Sequence, residues 1–260
     1  MLRPSYLAVG FASGLWLIAS AAHAQTVDEI IALNLKSKGG IEKIRATQTV
    51  RMSGSVVAPD ARGTGPDVRG TMTMVAKRPN LMRRDAVMRR EGDLDDRRIV
   101  NAFDGTSLWM SIGAPVGAGA MAPQKLPNTR SAYARQDAEF DSVFVDYKEK
   151  GTTIELVGKD TVADTPVYHL KVTKKGGPPL HYYLDVTTGL EKRISVSAQS
   201  PTGSPLLNVT DFSDYRSVDG CMVPFMLQQR ENGKIIATTT LDKVEFNVPI
   251  EDSYFQMPTK

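Results

Sequence analysis

The chain holds one cysteine in 260 residues, Cys221, and three histidines, of which His169 and His181 are the two beyond the first 25 positions. One cysteine excludes an internal disulfide framework. A lipid-anchored precursor needs its cysteine at a cleavage site, and Cys221 lies near the other end. Charge of one sign is scarce as well: 32 Lys and Arg face 29 Asp and Glu, a net of +3. That balance gives no footing for nucleic-acid binding. No H-E-x-x-H, C-x-x-C or G-x-S-x-G pattern occurs, so the common metal and nucleophile signatures are missing. Beyond the N-terminal region no apolar run approaches the roughly 20 residues of a spanning helix.

The N-terminal region is where apolar residues do concentrate. In MLRPSYLAVGFASGLWLIASAAHAQ, Arg3 supplies a positive start, Leu7–Ala22 carries no charge, and Ala22-His23-Ala24 forms an A-x-A cleavage site. These are the three parts of a secretory signal peptide, in order. The expectation is a leader over residues 1–24, a mature chain 25–260 beginning at Gln25, and a soluble periplasmic product. Without disulfides, that product must rely on a hydrophobic core, and its length is ample for one.

Thr26 followed by Glu29 fits a capping box. Val27, Ile30, Ile31, Asn34 and Leu35 continue with helical spacing to Gly39-Gly40. This predicts an amphipathic helix, with a short second one from Ile41 to about Arg45. From Thr47 the texture becomes that of strands. Met72, Met74 and Ala76 alternate with Thr71, Thr73 and Val75, a period of two. Asp104-Gly105, Thr188-Gly189, Asp219-Gly220 and Asn232-Gly233 punctuate the rest at short intervals. Such turns predict antiparallel hairpins rather than parallel strands joined by helices. The fold class is mainly β (α+β), a single antiparallel sheet of roughly 10–12 strands, which at that length curls or closes. Helices would cover its concave face. Two segments interrupt the pattern. Residues 113–127, GAPVGAGAMAPQKLP, read as an apolar irregular loop, a lid or a packed crossing, and Asn128 is expected to cap a helix through about Lys148.

Between residues 77 and 98 basic side chains crowd together: Lys77, Arg78, Arg83, Arg84, Arg89, Arg90, Arg97 and Arg98, among Asp85, Glu91, Asp93, Asp95 and Asp96. They read as the solvated face of a hairpin guarding against edge pairing; the alternative is a patch for anionic headgroups. Methionine is plentiful in the predicted strands: Met52, Met72, Met74, Met82, Met88, Met110, Met222 and Met226. Its unbranched, polarisable side chain adapts to varied apolar ligands. With Phe103, Leu108 and Trp109 these residues would line a pocket, although alternation is the same for a packed core. His169 and His181 fall on neighbouring strands with Asp185 nearby, which fits ordinary strand positions better than a metal or acid–base site. Cys221 reads as a small buried hydrophobe.

Five segments resemble the LolA/LolB-like superfamily of periplasmic lipoprotein carriers and sorting proteins. Ile30–Gly54 is similar to the family's opening helix, double glycine and first strand. Ala76–Asp85, AKRPNLMRRD, resembles its Arg-Pro hairpin, and Phe103–Ile112 its D-G turn into an aromatic strand. Phe212–Phe225 and Lys243–Pro258 resemble its closing motifs. The resemblance implies an unclosed, strongly curved half barrel, lidded by helices, whose hollow binds acyl chains or another hydrophobic ligand; the residues themselves point to no cofactor, metal or catalytic group. It implies a monomeric carrier of lipid or acylated lipoprotein, with an inner-membrane donor and an outer-membrane acceptor. An envelope sensor or interaction module on the same fold is the alternative. Arg78 and Pro79 would fix the hairpin against a lid, for which Ala118 and Met121 are the candidate residues. The chain exceeds a compact carrier in length, chiefly in its 61–67 turn and the 113–127 loop.

Overall fold

In the computed structural model, residues 25–60, 63, 65–93, 95–113, 120–127, 138–199 and 203–258 are described. The expected leader, 1–24, and Ala118 lie outside them. The chain opens with helix α1, Val27–Ser37, and the short α2, Ile41–Ala46. The capping box forms: the Glu29 amide donates to Thr26 Oγ1 at 3.3 Å, and the Thr26 amide donates to Glu29 Oε2 at 2.7 Å. Both orphan donors are thereby satisfied.

Thirteen strands follow: β1 Thr49–Ala58, β2 Val68–Lys77, β3 Leu81–Arg90, β4 Arg97–Phe103, β5 Leu108–Gly113, β6 Met121–Lys125, β7 Thr153–Val162, β8 Thr165–Thr173, β9 Pro179–Asp185, β10 Glu191–Gln199, β11 Pro205–Val218, β12 Cys221–Glu231 and β13 Lys234–Phe246. They form one antiparallel sheet in the order β6-β5-β4-β3-β2-β1-β13-β12-β11-β10-β9-β8-β7. Every neighbour is a sequential hairpin partner except one. The last strand, β13, returns to pair with β1 and joins the two runs. That junction is tight. A Cβ on Gly54, where the register shifts, would sit 2.1 Å from the Thr240 carbonyl oxygen. Only glycine fits such a close approach.

Two expectations need correction. Residues 121–125 are not irregular: they form edge strand β6 on β5, with Met121 opposite Ile112. An edge strand needs only one partner, so it tolerates Pro123. The helix expected to reach Lys148 is absent from its described part; residues 143–150 form successive turns. Asp146 has φ +51°, a left-handed conformation that a continuous helix does not admit.

The sheet is rolled but not closed. Ala138 packs on Phe103, with Met82 and Leu108, from the β3–β5 arm. A few residues on, Val143 and Phe144 pack on Leu170 and Leu184 of the β8–β9 arm, together with Ile30 and Ile31 of α1. The same segment bonds both arms, Asp141 to Arg78 and Glu139 to Lys174. Arg78 follows β2 and Lys174 follows β8, seven strand intervals apart. On a flat sheet that separation is about 33 Å. Two residues of chain reach about 7 Å. The arms must therefore curve toward each other, and segment 138–150 crosses the concave side.

Candidate functional site

Register sorts the side chains between the two faces. Along β1–β5, Met52 lies opposite Met74, Met74 opposite Arg84, Arg84 opposite Asn101, and Asn101 opposite Met110. Met52, Met72, Met74, Ala86 and Met88 pack together with Val56, Phe225 and Val244 on the concave face. Along the other arm the same face carries Leu170, Tyr182, Ile194, Thr210 and Leu227.

Two adjoining cavities lie under the crossing segment. The larger, about 1150 Å³, is lined by Val143, Leu180, Tyr182, Ile194, Val196, Ala198 and Phe212, with Lys38, Glu139, Asp141, Lys174, Glu191, Asn208 and Tyr215 among its polar groups. The smaller, about 230 Å³, is lined by Ile44, Val50, Met52, Phe140, Cys221, Met222, Val223, Val244 and Phe246. Lys38, Asp141 and Pro224 border both. A concave, mainly apolar space with a few placed polar groups is the usual form of a small-molecule site.

Those polar groups are largely engaged. Arg78 donates Nη2 to Asp141 Oδ1 at 2.6 Å, Nε to the Thr47 carbonyl at 2.6 Å and Nη2 to the Ile44 carbonyl at 2.7 Å, and it stacks on Phe140. The Phe140 amide donates to the Pro79 carbonyl at 3.2 Å. Arg78 and Pro79 thus hold the 139–141 crossing; residues 114–119 of the expected lid lie outside the described residues. Glu139 takes Lys150 at 2.7 Å and Lys174 at 2.8 Å. Burial opposes its charge, but the two lysines outweigh burial and hold its carboxyl below the usual range. Lys38 bonds the buried Glu191. Tyr215 donates to the Glu191 carbonyl at 2.6 Å, and burial, then Glu191, push its phenol upward. The rim is a set of closed ion pairs around an apolar floor.

The expected lining residues divide. Met52 and Met222 border the smaller cavity. Met72 and Met74 share the concave cluster with Met52, and Met82, Phe103 and Leu108 pack under Ala138. Met110 occupies the same face in the next row, opposite Asn101 and Gln124. Trp109 does not belong with them. It alternates with Leu108 and Met110, so it points to the convex side. There it is buried with Val100 and Ala102 beside Met257, and its indole N–H donates to the Phe255 carbonyl at 2.8 Å. Met226 is likewise on the convex side, next to Phe225 and Leu227 of the concave cluster, and is 38% exposed. Met121 sits on the edge in β6. Sequence reasoning missed the lining of the larger cavity. Its signal was present in Leu180/Tyr182/Leu184 and Ile194/Val196/Ala198, which alternate as cleanly as the methionines.

The histidines meet on the convex face. His169 Nε2 lies 2.7 Å from His181 Nδ1, and Tyr183 stacks on His169 at 4.5 Å. Burial, then the His181 ring, lower the His169 pKa. Among the described residues no group of three His, Cys, Asp or Glu could hold a metal ion. No helix among them is long and apolar enough to cross a membrane.

No protein-family model matches the chain, and no curated protein matches it. Solved structures do. A DUF1329 family protein from Desulfovibrio piger superposes with TM-score 0.57 at 15% identity, covering 88% of this chain and 97% of its own. A LolA superfamily protein from Nitrosomonas europaea gives 0.55 at 12%, covering 90% and 98%. A domain described as an outer membrane lipoprotein-sorting protein, from Vibrio parahaemolyticus, gives 0.52 at 10%, covering 82% and 93%. At such identities the likeness is one of fold. The chain has a LolA-like fold.

Proposed function

We propose that this protein is an exported, non-catalytic carrier that takes the acyl chain of a lipid or lipoprotein into the hollow between its rolled sheet and the 138–150 crossing. The observation that carries this reading is the cavity of about 1150 Å³ with an apolar floor and an ion-paired rim. Its size suits a lipid tail. Burying such a tail is favourable by about 25 cal/mol per Å² removed from water. Release then calls for an acceptor with a better site, since a ligand shifts only as far as its differential affinity. The N-terminal pattern of residues 1–24 supports delivery to the periplasm, between a donor at the inner membrane and an acceptor at the outer one.

Native mass spectrometry of protein recovered from the periplasm, followed by lipid extraction, tests the reading. Stoichiometric lipid or acylated peptide is expected, together with uptake of a fluorescent fatty-acid probe. Ile194→Asp places a charge on the cavity floor and should abolish uptake. An empty protein that also refuses the probe would refute carriage. The second reading, an envelope interaction module, draws on Leu207, Ile235 and Ile236, which are exposed at one end of β11–β13. It predicts that same empty protein, and a partner bound through those residues.

A further inference from the structure

Of the eight basic residues between 77 and 98, six have acidic partners. Lys77 bonds Asp252, Arg78 bonds Asp141, Arg83 and Arg98 share Asp85, Arg89 bonds Asp96, and Arg90 bonds the buried Asp60. Arg97 is exposed to water at the start of β4. Arg84 has no acidic partner among the described residues and is not fully solvated. It is half-buried on the concave face, between Met74 on β2 and Asn101 on β4. Met82 and Ala86 flank it along β3, and both pack in concave clusters. Among the described residues no carboxylate or hydrogen-bond acceptor meets its guanidinium, and burial alone lowers its pKa. Met52, which borders the smaller cavity, lies two strands away in the same row, at about 10 Å.

An unpaired, partly desolvated guanidinium is costly, and a site retains one where something supplies the missing charge. Arginine offers five donors in a planar fork that matches carboxylate and phosphate oxygens. Apart from Asn101, the neighbours on this face are methionines, phenylalanine and aliphatic side chains, so the rest of the ligand must be mainly apolar. We propose that Arg84 is the headgroup anchor of the hollow, and that the cargo is an anionic amphiphile: an oxyanion, carboxylate or phosphate, on an acyl or alkyl chain. This rests on the carrier reading above and narrows it. The acylated cysteine of a lipoprotein is uncharged and would leave Arg84 without a partner.

The test compares ligands of equal chain length in the full chain stripped of co-purifying lipid. Palmitate and hexadecyl phosphate should displace a fluorescent fatty-acid probe about 10-fold or more tightly than hexadecanol or methyl palmitate, the scale of one charge-assisted hydrogen bond. Acetate and inorganic phosphate should not compete, which separates an amphiphile from a free anion. Arg84→Met should erase the preference while keeping hexadecanol binding, and Arg84→Lys should restore part of it. Arg84→Gln provides a second neutral variant, and thermal melting checks that each is folded. Equal binding of charged and uncharged chains, unchanged in Arg84→Met, would overturn the anchor and leave the carrier standing. Binding of no chain at all would overturn both.

Discussion

The convex face makes a sharp prediction about what holds the rolled sheet in shape. After β13 the chain crosses the outside of β1–β5 as a strap, residues 247–258, with a short 3-10 turn at Asp252–Phe255. Phe255 is fully buried and packs against Val75 and Leu81. Truncating a buried phenylalanine costs about 3–5 kcal/mol, from lost transfer energy and the cavity left behind. The strap's polar ties survive the substitution Phe255→Ala. Thr49 still donates to the Val248 carbonyl and Lys77 to the Ile250 carbonyl, each at 2.7 Å, and Arg83 to the Tyr254 carbonyl at 2.8 Å. The measured loss therefore isolates the apolar plug. For a chain of this length it lowers the melting temperature by roughly 6–20 °C, at about 2–4 °C per kcal/mol. Trp109 is the convenient reporter, because its indole donates to the Phe255 carbonyl and the other tryptophan, Trp16, falls in the expected leader. In Phe255→Ala its emission should shift to the red at lower denaturant than the loss of β circular dichroism, as the strap detaches before the sheet melts. Phe255→Leu should recover most of the stability. A loss under about 1 kcal/mol, or indole emission that moves only with global unfolding, would show that the strap is not held by its plug.

Removing the carboxylate at the crossing, by Asp141→Ala, leaves Arg78 with its two carbonyl acceptors but without a counter-charge. A stability loss of about 1–2 kcal/mol is expected for this largely buried pair, with faster probe release in stopped-flow; unchanged release would mean the crossing does not gate the hollow. The convex histidines predict a pH response. Burial and His181 lower the His169 pKa, so the unfolded chain binds that proton more readily than the folded one. Its contribution is complete above the ordinary histidine value of 6.5 and is lost as pH falls below it toward the folded value. Melting temperature should fall between pH 7 and pH 5, and His169→Phe should flatten that slope; an unaltered slope in the variant assigns the effect to another group.

Local order was legible from the chain alone because its causes are local. Thr26 and Glu29 are three residues apart and form their capping box without help from the rest of the molecule. The Gly-containing turns set the hairpins, and left-handed backbone at Asp219, Asn232, Gly105 and Gly189 confirms that turn chemistry dictated them. The single antiparallel sheet followed from the same signals. Faces did not follow as readily. Leu108, Trp109 and Met110 are equally apolar in sequence, yet the pleat sends Trp109 to the strap and its neighbours to the hollow. The described part of the expected helix, from Ala138 to about Lys148, looked helical by spacing, but it is shaped by what it must span. Contacts to Phe103 on one arm and Leu170 on the other favour turns over a straight rod. The basic run from Lys77 to Arg98 shows the same division most clearly. Sequence determined its charge, while the rolled sheet decided which arginines meet carboxylates and left Arg84 facing the hollow, since partners 30 or 63 residues away exist only once the strands are aligned.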